Sequence, residues 1–542
     1  MSDATVAREE RVEQVLLGDE AVAQAALDAG ITAAYAYPGT PSTEILEYLV
    51  QNEKRQGAPK AVWSANEKTA YEQALGVCML GRRSLVAMKH VGLNVAADPF
   101  VNSALVDVRG GLVVAVADDP GMHSSQNEQD TRIFADFAKV LCLEPSNQQE
   151  AYEMTREAYD LSERFRIPVV LRLVTRLCHS RAAVTPGTSE PEKPLSKDVS
   201  PASWILLPVN ARRLWKQHLA LQPELQAWSE SCAWNTYEPS DDDGGLGVIT
   251  TGIARNYLLE NLAELEQRPS HLHIGAYPVP VEKVRDLASR VDRILVLEEG
   301  QPWVERSLKG LLPTPLPIQG KLDGTLPLDG ELTPDSARRA LGLGDHEKVH
   351  LAGFPLPPRP PQLCQGCPHR DAFASMNSVL EGFDTSVVMS DIGCYTLGAL
   401  PPYQSIESCV CMGASIGMAK GAADAGMRPA LAVIGDSTFL HSGVTPLMDA
   451  VSDDTPMTLL ILDNGTVGMT GQQPTVLASS RLEPVVRGLG VDPDHLHVVE
   501  LHPKNEAEVS AVLRREIEHE GLSVIIGIRE CIQSARKSKS SS

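Results

Sequence analysis

Three runs in the first third of the chain, Leu85-Val86-Ala87-Met88, Gly111-Leu112-Val113-Val114-Ala115-Val116 and Ile167-Pro168-Val169-Val170-Leu171, carry no polar side chain on either face. A strand without a polar face needs apolar cover on both sides. Helical segments between such strands supply it, so these runs predict an α/β domain built on a parallel sheet. The spacing of apolar residues predicts helices over 20–29, closed by Gly30, over 42–51 and over 69–80. Between the first two, residues 31–37 form a strand that runs into the turn Pro38-Gly39-Thr40-Pro41.

The same alternation returns twice. A smaller α/β unit starts at Leu246 with the strand GVITTG, followed by a helix from Ala254, a strand around Leu272, a helix over 281–290 and a strand over 293–298. A third unit spans about Val387 to Arg529. At 542 residues the chain exceeds what one core supports, and about three to four domains are expected. The expected division is 1–180, a linker and helical connection at 181–243, 244–345, a proline-rich connection at 346–362, 363–535, and a basic tail at 536–542. Residues 181–200 have no apolar period and read as a surface crossing. Residues 305–360, which include PLPPRPP, read as an extended connection with polyproline character.

A formal net charge of −22, with acidic residues spread along the chain, argues against nucleic acid as a partner. Ten cysteines at irregular spacing give no disulfide framework and fit a reducing cytoplasm. The amino terminus has no basic leader or apolar run, and no stretch is apolar for long enough to span a bilayer, so no membrane association is expected. The tail ARKSKSSS reads as a frayed end. A nucleotide-binding glycine loop is not expected either, because Tyr37 to Pro41 lacks the Gly-Lys-Ser/Thr ending of one class and the glycine spacing of the other.

The third unit concentrates polar residues at the carboxyl ends of its strands: Asp391-Ile392-Gly393, Gly435-Asp436-Ser437 and Asp463-Asn464-Gly465. In an open parallel sheet this is the edge where loops and helix amino termini meet a ligand. Asp436, Asn464 and a carbonyl near Thr466 offer the oxygen donors that a hard divalent cation takes alongside phosphate oxygens. Gly435 lets the backbone approach a phosphate. Each motif alone also reads as an ordinary turn. Their placement after neighbouring strands, with Thr-Val-Gly-Met-Thr-Gly following, favours the site.

The segment GDSTFLHSGVTPLMDAV with ILDNGTVGMTGQQPT resembles the diphosphate and magnesium motif of thiamine-diphosphate enzymes, in the form found in the indolepyruvate:ferredoxin oxidoreductase α-subunit family. The general motif has Gly-Asp-Gly and a later Asn-Asn, where this chain has Ser437 and Asp463. AYAYPGTPSTEILEYL, WSANEKTAYEQALG, MKHVGLNVAADPFVNSA, ADDPGMHSSQNEQDTR, CQGCPHRDAF and DIGCYTLGALPPYQ extend the resemblance over nearly the whole chain. It implies a thiamine-diphosphate-binding α/β fold with two cofactor-binding parallel-sheet domains, and a transketolase carboxyl-terminal-like domain between them.

The resemblance also implies roles. Glu67 stands beside N1′ of the aminopyrimidine, although from its position it equally reads as a carboxylate at a helix start. His90, His123 and His441 are the catalytic candidates with it, and Lys89, Asn127, His369 and Arg370 are further pocket candidates. Pro38, Gly39, Thr40, Asn94, Gly393, Cys394, Gly413, Gly435, Ser437, Thr438 and Met469 contact the cofactor, and Asp436, Asn464 and Thr466 hold Mg²⁺. The implied reaction decarboxylates a 2-oxoacid, aryl-pyruvates such as indolepyruvate being the suggested substrates, removes electrons and passes the acyl group to coenzyme A. A β-subunit and paired α-subunits are the implied partners.

The family's long α-subunits end in a ferredoxin-like domain with repeated Cys-x-x-Cys-x-x-Cys runs. Here Cys531 stands alone near the end, and no iron–sulfur cluster is expected in this chain. Cys364 and Cys367 have metal-like spacing but no second close pair in sequence, and Cys409 and Cys411 are distant. Three readings stay open. Electrons leave through a cluster-bearing partner, or through another acceptor, or the enzyme is a non-oxidative decarboxylase or carboligase. A binding protein without turnover is disfavoured by the intact Glu67, Asp436 and Asn464.

Overall fold

The computed structural model describes residues 13–196, 200–312, 316–346 and 362–540. The expected proline-rich connection and the first residues of the amino terminus lie outside the described residues. The chain forms two compact units, 1–350 and 351–542.

In the first unit a seven-stranded sheet has the order Ala276–Tyr277, Cys142–Leu143, Val169–Val174, Leu112–Asp118, Ser84–Lys89, Ala33–Ala36, Lys60–Trp63. All its neighbours are parallel except the short first strand. Strands Ser84–Lys89, Leu112–Asp118 and Val169–Val174 are buried at every position, as runs apolar on both faces require. From strand Ala33–Ala36 the chain first adds Lys60–Trp63 on one side and then crosses to Ser84–Lys89 on the other. The carboxyl ends of Ala33–Ala36 and Ser84–Lys89 therefore flank a topological switch point, where loops diverge and leave a crevice. Lys60–Trp63 is a half-buried edge strand of only four residues, too short for its period to stand out in the sequence.

A second sheet in this unit has the order Ile318–Gln319, Arg293–Leu297, Leu246–Thr251, Ser270–Ile274, Asn235–Glu238, with the last strand antiparallel. One continuous apolar core runs through both sheets. Polar groups also join them, since Arg172 within strand Val169–Val174 and Arg132 at the start of helix Thr131–Ala138 are fully buried. Arg172 pairs with Asp118 at 2.6 Å and with Glu144, and donates to the Glu299 carbonyl at 3.1 Å. Arg132 pairs with Asp130 and, at 3.0 Å, with Glu298, and donates to the carbonyls of Glu299 and Gln301. The Glu298–Gln301 loop of the second sheet is thus fastened by charges from the first.

Three expectations are corrected here. Residues 181–200 are no free crossing: Arg181–Val184 pairs antiparallel with Gln14–Leu17, and Glu190 is ion-paired with Arg83 and Arg156. The region from 305 onward holds the helices Trp303–Leu311 and Pro334–Ala340, the latter capped by Thr333. The tail read as frayed carries the helix Ile532–Ser540.

The second unit is a six-stranded, all-parallel sheet of order Ser408–Cys409, Val387–Ser390, Ala430–Gly435, Thr458–Asp463, Ser523–Ile528, Leu496–Glu500. Ala430, Ala432 and Ile434 face one apolar cluster, and Leu431 and Val433 face another. That division is the period of two in a strand covered on both sides. The switch point falls between Val387–Ser390 and Ala430–Gly435, the strands that lead into Asp391 and Asp436.

Among the described residues no helix is long and apolar enough to cross a membrane. Removing one member of a buried ion network leaves its partners uncompensated, at a cost of about 3–5 kcal/mol. Arg132→Met is therefore predicted to lower the chemical denaturation midpoint sharply, and a midpoint equal to wild type would contradict the fastening role.

Candidate active site

Two groups of candidate residues stand at the two switch points. In the first unit the loop Pro38-Gly39-Thr40 follows strand Ala33–Ala36, and Lys89-His90 ends the adjacent strand Ser84–Lys89. Any side chain at position 39 would press on the Lys89 methylenes at 3.2 Å, so glycine sets how close this loop comes. Lys89 Nζ donates to the Ser124 carbonyl at 3.0 Å, while Ser124 Oγ donates to the Thr40 carbonyl at 3.0 Å. Burial pushes the Lys89 ammonium down to about 8, opposed by the nearby carboxylates of Asp119 and Glu67.

Glu67 begins helix Glu67–Met79 and is buried. The Asn66 side chain caps that helix, accepting from Thr69 N at 2.8 Å, so the capping duty is met without Glu67. Gly92 makes room for the carboxylate, since a Cβ there would lie 2.5 Å from Glu67 Oε1. Nearby, buried His90 shares a hydrogen bond of 3.1 Å between Nε2 and the Asn127 carbonyl, leaving the buried Nδ1 without a hydrogen-bond partner. Asn94 is exposed on the same short helix. His123 precedes Ser124, and its half-exposed side chain turns to Glu331, with Nε2 3.2 Å from the carboxylate.

In the second unit, Asp391, Asp436 and Asp463 end three neighbouring strands. Asp391 is buried and accepts from Gly413 N at 2.7 Å, Ser415 N at 2.9 Å and Ile392 N at 3.1 Å. These bonds fix the amino terminus of helix Ala414–Asp424 against the Gly393 loop. Gly413 needs its left-handed φ of +91°, and a side chain there would strike Ser442. Gly393 and Gly435 both lie under the Tyr395 ring, where a Cβ would come within 2.4 and 2.6 Å of it. Thr438 Oγ1 donates to the Ile392 carbonyl at 2.9 Å. Gly393, Gly435, Thr438 and, through Asp391, Gly413 are therefore held around one loop. Cys394 belongs with them, its sulfur 3.2 Å from where a Gly468 Cβ would stand.

Asp436 accepts from Ser437 N at 2.8 Å and Gly465 N at 2.9 Å, so the second bond joins the ends of two adjacent strands. Burial, reinforced by the facing carboxylate of Asp463, pushes the Asp436 acid up to about 8. Asp463 Oδ2 is itself buried without a donor. Such a pair is stable only with a shared proton or a cation, and oxygen donors of this kind suit Mg²⁺. Asn464 Oδ1 accepts from Thr466 N at 3.0 Å, and its amide lies 3.4 Å from His369 Nε2. Thr466 is buried, with its hydroxyl on the Gln473 carbonyl.

His369 is buried edge-on to Tyr395, and burial pushes it down to about 4, so it is neutral near pH 7. His441 is buried in a widened helical turn, 439–443, with Nδ1 2.7 Å from Ser442 Oγ. Widened turns of this kind concentrate at functional sites. Arg370 turns away to Tyr403, and Met469 is exposed. Sequence reasoning placed Asp391 at a strand end but gave it no role, although it ends an apolar strand just as Asp436 does.

It also missed a convergence of cysteines. The Cys394 thiol is pushed up to about 12 by burial and then by the neighbouring thiols of Cys367, Cys531 and Cys364. Gln533 Nε2 donates to Cys364 Sγ at 3.4 Å, and Cys531 N donates to the Asn464 carbonyl at 3.1 Å. Cys394 and Cys531, from two distant segments, thus come within electrostatic reach of Cys364 and Cys367.

The raised Asp436 acid has a pH consequence of definite sign. An unfolded aspartate titrates near 3.9, so between about pH 4 and pH 8 the folded metal-free protein keeps a proton that the unfolded chain has released. Stability from this group falls as pH rises through that window. The denaturation midpoint of metal-free protein is predicted to drop between about pH 6 and pH 8.5. Asp436→Asn should flatten the profile, and a divalent cation should restore more stability at the higher pH. A restoration equal at both would contradict the carboxyl-pair account.

Comparison with known proteins adds to this geometry. The pyruvate flavodoxin/ferredoxin oxidoreductase thiamine-diphosphate-binding model matches residues 24–218, and the carboxyl-terminal domain model of thiamine pyrophosphate enzymes matches 391–526. The indolepyruvate oxidoreductase subunit IorA of Archaeoglobus fulgidus is 37% identical over 97% of this chain and 88% of its own. That of Methanothermobacter marburgensis is 38% identical over 96% and 87%. A solved 2-oxoglutarate:ferredoxin oxidoreductase from Magnetococcus marinus aligns with 58% of this chain and 63% of its own, at 16% identity and a TM-score of 0.49. With its α/β thiamine-diphosphate-binding fold of several parallel-sheet domains, the chain belongs to the indolepyruvate oxidoreductase subunit IorA family of thiamine-diphosphate-dependent 2-oxoacid oxidoreductases.

Proposed function

We propose that this chain is the thiamine-diphosphate-binding subunit of an enzyme that oxidatively decarboxylates an aryl-pyruvate, of which indolepyruvate is the type, and transfers the acyl group to coenzyme A. The observation that carries this reading is the buried Asp436–Asp463 pair at the ends of adjacent parallel strands. Asp436 and Asn464, with a backbone oxygen near Thr466, would hold Mg²⁺. The backbone around Gly393, Gly413, Gly435, Ser437 and Thr438 would hold the diphosphate. When bound, the thiazolium ring serves as the electron sink for decarboxylation.

The residues of the chain supply position and protons. Glu67 is assigned to the ring nitrogen of the aminopyrimidine, where a buried carboxyl shifts that ring's protonation. Pro38 to Thr40 shape the wall beside it. Lys89, partly neutralised by burial, is the cation available to a substrate carboxylate. His90, His369 and His441 are buried polar groups near the two switch points and remain the acid–base candidates. His123, 3.2 Å from Glu331, stays a candidate with them.

We further infer that Cys364, Cys367, Cys394 and Cys531 hold an iron–sulfur cluster, in place of the expectation of none in this chain. Four thiols from three separate segments lie within electrostatic reach of one another, the number of cysteines such clusters take as ligands, and these clusters accept single electrons. This convergence favours the oxidative reading over simple decarboxylation or carboligation. A second, β-type subunit and paired copies of this chain complete the proposed assembly, with an external electron acceptor beyond them.

The test is an assay of the purified complex for 2-oxoacid turnover with and without coenzyme A and an artificial acceptor, together with iron, sulfide and thiamine content. Glu67→Gln should lower turnover by about a hundredfold to ten-thousandfold while retaining the cofactor, and Cys394→Ser should lose iron and acceptor-linked turnover. Aldehyde release that needs no acceptor, from protein without iron, would contradict the oxidative reading.

A further inference from the structure

Asp19, Glu44 and His179 present one ligand atom each within 4.8 Å of one another. They come from three helices: Asp19 from the first turn of Gly18–Asp28, Glu44 from the first turn of Thr43–Gln56, and His179 from the end of Thr175–His179. Asp19 is completely buried, with the Cys178 thiol beside its carboxylate and no amide, hydroxyl or cationic donor to either oxygen. An isolated buried carboxylate costs several kcal/mol unless it is neutralised or paired. Burial holds its acid well above the usual range, with the thiol of Cys178 and the carboxylate of Glu44 alongside. Glu44 and His179 are each about one third exposed, so the cluster opens to solvent on one side.

We propose that Asp19, Glu44 and His179 form a binding site for a zinc-class divalent cation, with water in the open position. Two ligand atoms about 2.1 Å from a tetrahedral zinc ion stand about 3.4 Å apart, and Glu44 Oε2 lies 3.5 Å from His179 Nε2. The imidazole selects zinc over magnesium, which asks for an octahedron of oxygens. The cation supplies the partner that Asp19 lacks. It also ties helix Thr43–Gln56, which follows the Pro38-Gly39-Thr40 turn, to helix Thr175–His179, whose Thr175 hydroxyl bonds Asp119 at 2.7 Å. The site is therefore a brace for that turn, since Thr43, beside Glu44, accepts from Gly39 N at 3.2 Å.

The experiment uses the full-length protein, stripped with a chelator, reloaded with Zn²⁺ and desalted, and compares metal content and melting temperature for wild type, Glu44→Gln and His179→Gln. Both variants change half-exposed side chains, and Asp19→Asn adds the buried position. Because other groups also bind zinc, the readout is the difference: wild type retains one more equivalent than each variant, and loses that equivalent's share of zinc-dependent thermal stabilisation when either residue is changed. Equal zinc content in all proteins, with the same zinc-dependent shift, assigns the cluster to a proton shared by Asp19 and Glu44 and overturns the proposal.

Discussion

Two carboxylates that face each other at the ends of adjacent strands govern the second unit. Asp436 and Asp463 are both buried, and the main-chain hydrogen bond from Gly465 to Asp436 ties their loops together. A fold tolerates this only if something positive completes it, a proton in the free protein or a cation in the working one. The surrounding glycines serve the same end, because Gly393 and Gly435 let Tyr395 lie against the backbone where any side chain would push it away. What is costly for folding is what makes the strand edge receptive to a metal and a polyanion.

The first unit reaches a comparable arrangement by other means. Its switch point also follows from the order in which strands are added, and it too places a glycine turn beside a basic residue. The carboxylate there, Glu67, gains its space from Gly92. Behind it, the charge network of Arg132 and Arg172 makes the second sheet of the unit a rigid support. Buried charge is thus used twice, as a fastener where both signs are present and as an open demand where one sign is in excess.

The strands of both sheets were legible because a run apolar on both faces has few other uses. Ser84–Lys89, Leu112–Asp118 and Ala430–Gly435 lie where their composition places them. Of the strands not identified, Gln14–Leu17 and Lys60–Trp63 are short and partly exposed, so their pattern carries little information, whereas Ser523–Ile528 is a buried apolar run that was passed over. Pairing across long sequence distances was the harder part. Nothing local to Cys531 points to Cys394, and nothing near His123 announces Glu331; both relations exist only after the chain has folded. Asp391 was seen at its strand end but given no role, since a single aspartate after an apolar strand is as common in turns as in sites.

The functional account rests on Asp436 and Asn464 meeting one divalent ion at this strand edge. The most direct test is a crystal of the full-length protein grown with thiamine diphosphate and Mn²⁺ in place of Mg²⁺, read by anomalous scattering. The account predicts a single strong manganese peak touching side-chain oxygens of both Asp436 and Asn464 and oxygens of the diphosphate. A peak elsewhere, or cofactor bound with no ion between these two residues, would contradict it.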